Sequence, residues 1–435
     1  MLAEIKALYR RLPIEMMGVL LRIFQGGIAF LIAIFLGRLM GPESYGKYAL
    51  VVSWLLLGGL LAQVGLPNFL VREISVAKHL DNKADLHGLI KFSRILTFSF
   101  AALVTALMYF ILSSNYVDNV ELPLLLIGLP YILLLAFMSV NEAIIRGFGF
   151  IIVGQVPRLF IRPFFQLLSI VAIFVFVGRT GMTPSVAMWT LTLSTLAAFL
   201  TACAVKYVIS RDVIKVVPNF ELQVWRKGLE KLSLLTAISA VGASINVIIL
   251  GFLSSETQVG FYAVCSQFMV ILSMGLNVIN AQQGPELSAA YEANDKETLQ
   301  RLAVRACRFS LLIAFPVAIP FMFFGNEIMV AFFDVEYVAA APTLAVLTLG
   351  QIFNAGVGSV ALILVSARME KEVIVWQCLT LLLQLLLLIV LCPMLGAVGA
   401  AIATSIGLAV WNIALLWKVF TLTGIISMPI VRNSK

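Results

Sequence analysis

Histidine is nearly absent from this chain: it has two, His79 and His87, and both fall in one charged loop. No His-based triad or metal cluster can therefore form within its apolar segments. Cysteine is sparse as well. Cys203, Cys265, Cys307, Cys378 and Cys392 lie far apart, without CxxC spacing or a neighbouring histidine, which excludes a zinc site and makes them small apolar fillers rather than a disulfide framework. A Walker A sequence is missing, so the chain carries no ATPase, and no acidic metal site of the glycosyltransferase kind accompanies its basic loops. Charge is thin: 12% of the residues are Asp, Glu, Lys or Arg, against roughly a quarter in soluble domains. No stretch is long and polar enough to make a water-facing basic domain, so the net charge of +8 does not point to a nucleic-acid partner. These absences describe a protein that is not an enzyme and uses no cofactor.

What the chain has in abundance is apolar surface. Of its 435 residues 61% are hydrophobic, with a mean hydropathy of +1.03, more than a soluble core can hide. Lipid is then the solvent. Crossing about 30 Å of hydrocarbon takes roughly 20 apolar residues as helix, because lipid cannot satisfy an unpaired backbone group. Twelve such windows occur, near 13–36, 47–67, 92–112, 122–141, 158–178, 185–207, 232–253, 259–281, 306–325, 340–366, 373–392 and 397–418. Lys6, Arg10 and Arg11 precede the first window, which lacks a small-residue cleavage site and reads as a retained helix.

The basic residues set the topology. The N-terminus, the loops after even-numbered windows and the C-terminus, which ends with Lys418, Arg432 and Lys435, hold 25 Lys and Arg; the opposite loops hold three, Arg38, Lys47 and Arg179. Positive charge collects on the cytoplasmic side, so both termini are expected in the cytoplasm, with anionic membrane lipids as partners of that face.

The chain also repeats itself. GRLMGPESYGKYALV from Gly37 matches GFLSSETQVGFYAVC from Gly251, and EISVAKHLDNKADL from Glu73 matches ELSAAYEANDKETL from Glu286, at offsets of 214 and 213. Consecutive matches in one register, in polar loops as well as apolar spans, mark a duplication. Six windows separate the copies, so both enter the membrane in the same sense. The expected architecture is all-α and integral to the membrane, with two pseudo-symmetric six-helix lobes, residues 1–215 and 216–435, around a V-shaped central cavity.

Cations inside the spans are the candidate binding groups, since an arginine there costs several kcal/mol unless it faces a cavity. Arg22 lies eleven residues past Arg11, with Gln25 one turn on. Arg158, Arg162 and Gln166 recur at four-residue spacing and form a basic stripe. A guanidinium fork suits an anion, matching phosphate oxygens bidentately, and carries protons poorly. The bland readings stand beside this one: an interhelical hydrogen bond or a Glu15 ion pair for Arg22, and snorkelling to the interface for Arg158. Gln63, Asn246, Gln267, Asn277, Asn280, Gln351 and Asn354 are candidates to line a wet cavity for sugars, although each alone also reads as interhelical glue.

LGRLMGPESYGKYAL after the first span, GLPNFLVREIS after the second and LGAVGAAIATSIG opening the last resemble the Wzx-type lipid-linked oligosaccharide flippases. This resemblance spans essentially the whole chain; the wider superfamily includes lipid II flippases and the MATE multidrug and toxin exporters. It implies translocation of an undecaprenyl-diphosphate-linked oligosaccharide between the leaflets of the cytoplasmic (inner) membrane by alternating access, in O-antigen or other polysaccharide biosynthesis. H+ or Na+ would be the candidate coupling ion and other polysaccharide assembly proteins the further partners. It also implies cavity arginines for the diphosphate, which Arg22 matches. The family's basic residues of the second lobe have no counterpart in the seventh and eighth spans here, so either Lys47 or Arg162 fills the role or recognition is lopsided. Two other functions remain open: a cation-coupled multidrug exporter, which wants an acidic cavity, and a membrane polysaccharide polymerase or ligase, which wants a large basic outer loop where this chain has only 326–339, without Lys or Arg.

Overall fold

The computed structural model describes residues 14–112 and 122–429, and every regular element among them is helical. Lys6, Arg10, Arg11, Arg432 and Lys435 lie outside the described residues. The first copy comprises α1 (Ile14–Leu61), α2 (Leu66–His79), α3 (Lys83–Leu112), α4 (Leu122–Gly147), α5 (Ile151–Val156), a π turn (Pro157–Ile161), α6 (Arg162–Val177) and α7 (Pro184–Ser210). The second comprises α8 (Leu222–Leu253), α9 (Glu256–Glu292), α10 (Lys296–Phe323), α11 (Gly325–Phe332), α12 (Ala341–Val357), α13 (Val360–Ser366) and α14 (Glu370–Thr423).

Among the described residues, ten helical stretches are long and apolar enough to cross a membrane. Two of them, Met17–His79 and Glu370–Thr423, are far longer than one crossing needs. Each is broken by a glycine with non-helical backbone, Gly41 (φ 75°, ψ 172°) and Gly396 (φ 54°, ψ −128°). Counting the arms separately gives the twelve crossings expected. Gly396 is required where it stands: a Cβ there would lie 2.5 Å from Gln258 Oε1, the oxygen that accepts from the Ala397 N–H at 2.8 Å and caps the restarted helix.

Two local expectations are corrected. Window 340–366 is two helices, α12 and α13, parted at Gly358, which adopts φ 76°. The stretch read as an outer loop, 326–339, is largely helical: α11, then a 3-10 segment Val335–Ala340 whose first N–H donates to the Asp334 carboxylate at 2.7 Å.

The duplication is visible as backbone geometry. Asp81 and Asn294, 213 residues apart, both adopt left-handed φ (50° and 53°), which Asn and Asp tolerate best after glycine. On either side the N–H of Asn82 bonds Ala77 O, and that of Asp295 bonds Ala290 O, both at 3.0 Å. Each residue then caps the next helix, Asn82 Oδ1 accepting from Asp85 N and Asp295 Oδ1 from Thr298 N. A second turn repeats likewise: Gly149 and Arg368 have positive φ, and the following N–H groups, of Phe150 and Met369, reach back to Ile145 O and Leu364 O.

Packing divides the chain into two compact units, Met1–Ile248 and Ile249–Lys435. This division falls later than the lobe boundary expected at 215/216, and most of α8 packs within the first unit. Trp225 and Leu229 complete a core with Leu66, Phe69, Ile74 and Ile144, and Ser233 donates to Val64 O at 2.9 Å. Gly65 (φ 71°) permits the approach, since a Cβ there would lie 2.6 Å from the Leu232 backbone. The second unit has its own core of Leu287, Leu299, Ala303, Ile363, Leu415 and Val419.

Candidate functional site

The first unit holds a partly open chamber of about 560 Å³, within the size range of ligand sites. Both arms of α1 reach it, through Gln25 on one and Leu56 and Leu60 on the other, because the chain doubles back at Gly41. Gln63, Pro67 and Asn68 close one side, and Thr236, Ser239 and Ala240 of α8 another. From α4 come Leu135, Ser139, Glu142 and Arg146, spaced by four, three and four so that all lie on one helix face. Arg158 and Arg162 complete the wall.

The two arginines are presented by the π turn. Pro163, which has no N–H to continue the α pattern, stands just after it. The Arg162 N–H instead reaches the Pro157 carbonyl five residues back, and such π turns are frequent at functional sites. Phe160 holds the turn against α1 by stacking on Phe24, centroids 4.7 Å apart.

Electrostatically the chamber is cationic: three arginines face one carboxylate. Glu142 is buried and accepts a bidentate pair from Arg158, Nε to Oε2 at 2.7 Å and Nη2 to Oε1 at 3.2 Å. Arg146 Nη1 approaches the same Oε1 at 3.7 Å. Arg162 Nη1 donates to Tyr131 Oη at 3.3 Å. The Nε donors of Arg146 and Arg162 are buried and have no partner among the described residues, a costly arrangement unless something accepts from them. A multiply charged oxyanion in the chamber would exploit the surplus charge.

The candidate residues divide sharply by place. Arg158, Arg162, Gln25 and Gln63 line the chamber. Arg22 does not: it is exposed, one turn before Gln25. The side chain of Glu15, its candidate ion-pair partner, is outside the described set. Arg158 is partly exposed and ion-paired to Glu142 at 2.7 Å. Gln166 is buried and donates to Tyr48 Oη at 3.3 Å, outside the chamber. Lys47 pairs with Glu43 at 3.3 Å, nine residues or roughly 13 Å of helix from Leu56. Asn246 is half-buried on α8, and Gln267 and Asn277 lie on α9, half-buried and exposed. Asn280 accepts from Ser359. Asn354 donates to Gln351 Oε1 at 3.3 Å and accepts from Asn412 at 3.0 Å. The contacts of Asn280 with Ser359 and of Asn354 with Asn412 tie elements together within the second unit. Arg146 is the site residue that sequence reading assigned to a loop; its position four residues after Glu142 was the available signal.

Comparison with known proteins decides the family: the profile of polysaccharide biosynthesis proteins matches residues 17–282, more than half of the chain. The chain belongs to the polysaccharide biosynthesis protein family. This family member is a multi-pass membrane protein with the fold of MOP superfamily transporters. An inward-facing MATE family multidrug resistance transporter of that superfamily superposes with a TM-score of 0.77 at 16% identity, over 93% of this chain and 98% of the other. The lipid II flippase MurJ, inward closed, gives 0.71 at 14% identity over 92% and 86%. A MOP superfamily transporter from Pyrococcus furiosus Vc1 (DSM3638), described as having a binding pocket of reverse polarity, gives 0.65 at 15% over 94% and 95%. Among curated proteins no sequence matches this chain.

Proposed function

We propose that this member of the polysaccharide biosynthesis family is a flippase that carries an undecaprenyl-diphosphate-linked oligosaccharide from the inner to the outer leaflet of the cytoplasmic membrane, with both chain termini in the cytoplasm. The observation that supports this reading is the chamber in which Arg146, Arg158 and Arg162 surround a single carboxylate. A diphosphate matches it in charge and in acceptor geometry. Arg158 and Arg162 hold the diphosphate, and Arg22, one turn toward the N-terminus from Gln25, makes its first contact. Gln25, Gln63 and Asn68 offer hydrogen bonds to the adjoining sugar. Exchange between conformations follows from a ligand that binds them unequally, with H+ or Na+ as coupling ion. The chain moves its substrate without changing it chemically.

An exporter of cationic drugs is the other reading of the same fold, and the surplus positive charge of the chamber opposes it. The test is a leaflet-accessibility assay. Purified protein in vesicles containing fluorescent undecaprenyl-diphosphate-linked oligosaccharide should expose inner-leaflet lipid to an external reagent, and Arg22→Ala should slow that exposure with normal insertion. Unchanged accessibility with wild-type protein, together with uptake of a lipophilic cation, would replace flippase by exporter.

A further inference from the structure

A second cavity, of about 490 Å³, opens between α3, α4 and α7 in the first unit, and its walls are ordered by polarity. Arg94, Asn141 and Lys206 stand at one end, and Phe98, Phe137 and Phe199 at the other. The order is the same on every helix. Arg94 lies nearer the loop end of α3 and Phe98 one turn deeper; on α4 Asn141 lies nearer the end and Phe137 one turn deeper; on α7 Lys206 lies near the end and Phe199 two turns deeper. The inner rings approach one another, Phe137 and Phe199 having centroids 6.3 Å apart.

The cationic end is undercompensated. Lys206 is 6% exposed, and its ammonium, with three protons to donate, gives one to the neutral Asn141 Oδ1 at 2.6 Å. Asn141 in turn donates to Cys203 Sγ at 3.2 Å. No acidic residue lines the cavity, and neither Lys206 nor Arg94 has an ion-pair partner among the described residues. Two cations on a transmembrane bundle without a carboxylate form a site for an anion that arrives through lipid. Basic pockets between transmembrane helices take phosphate head groups in this way.

We propose that this cavity binds one anionic glycerophospholipid of the surrounding bilayer, its phosphate against Arg94 and Lys206 and an acyl chain along Phe98, Phe137 and Phe199. The site shares no residue with the arginine chamber. It rests on the membrane-spanning fold alone and stands whether or not the chain is a flippase.

Native mass spectrometry of the delipidated full chain, titrated with phosphatidylglycerol, phosphatidylcholine of the same chains, or inorganic phosphate, tests it. Phosphatidylglycerol should bind tighter than phosphatidylcholine, and Arg94→Gln, an exposed position that leaves the fold intact, should cut that preference roughly tenfold, the worth of one charge-assisted contact. Phe98→Ala should weaken both lipids alike. Lys206→Met, if it folds, should repeat the Arg94→Gln result. Equal binding of the two lipids, an unchanged preference in Arg94→Gln, or occupancy by inorganic phosphate that excludes the lipid would each overturn the proposal, the last by making the site one for a soluble anion.

Discussion

In the first copy the turn at Gly149 leads into a segment carrying Pro157, Arg158, Arg162 and Pro163; in the second, the matching turn at Arg368 leads into one with Trp376, Gln377, Leu381 and Leu382 at those places. Before the turn, Glu142 and Arg146 correspond to Ala361 and Val365. Every charged member of the chamber is thus neutral in the second copy, and the prolines are gone too. The backbone follows: the first copy has its π turn here, whereas the second runs on as regular α-helix. Turn geometry survived the duplication because it depends on hydrogen bonds that any sequence with the right caps can make. Chamber chemistry depends on a few side chains and did not need to be kept twice.

The largest effect should come from erasing that asymmetry. Arg158→Ala with Arg162→Ala should lower surface polysaccharide output in a complemented deletion strain by more than about a hundredfold at equal protein level, each contact to a charged group being worth about 1.5–3 kcal/mol. Gln377→Ala, at the matching place in the second copy, should leave output near wild type; equal losses from both would make the asymmetry functionally empty. Next, Glu142→Ala gives the first copy the residue its counterpart has. It should cost about 2–3 kcal/mol in thermal unfolding of the detergent-solubilised protein, less than the removal of a fully buried partner because Arg158 is 38% exposed and partly hydrated.

Pro163→Leu sharpens the comparison from the backbone side. A restored N–H at 163 lets the helix close as α, which should keep or raise stability while turning the arginines and reducing transport roughly tenfold, or about 1.4 kcal/mol. The smallest effect concerns the conserved turns. Hydrogen bonds from Thr298 hold the Asp295 carboxyl below its ordinary range, so that cap contributes above the unfolded-state value and is lost as pH falls through the folded one. Asn82 does not titrate. Hydrogen-exchange protection should therefore decline on acidification at the start of α10 and not at the start of α3.

Much of this was legible in the amino acids. Twelve apolar windows and polar loops in one register carry the crossings and the duplication, since lipid leaves a spanning chain little choice but helix. Arg158 and Arg162 were legible because cations within apolar runs are conspicuous. What escaped was anything set by side chains of distant helices. Arg146 sits at the end of α4, past the hydropathy window, and joins the site through Glu142, which is itself bound to Arg158 sixteen residues on. The packing of α8 onto the first copy depends on Trp225, Leu229 and Gly65 meeting across the chain, which no local pattern reports. Arg22, the most conspicuous cation of the first span, is exposed rather than part of the chamber wall.

The most direct test measures binding of undecaprenyl diphosphate and undecaprenyl monophosphate to purified wild-type protein and to the Arg158→Ala/Arg162→Ala variant. A chamber built for a diphosphate should give tighter binding of the diphosphate in the wild type and lose that preference in the variant. The same preference in both proteins, or none in the wild type, would contradict the assignment of these arginines to the head group.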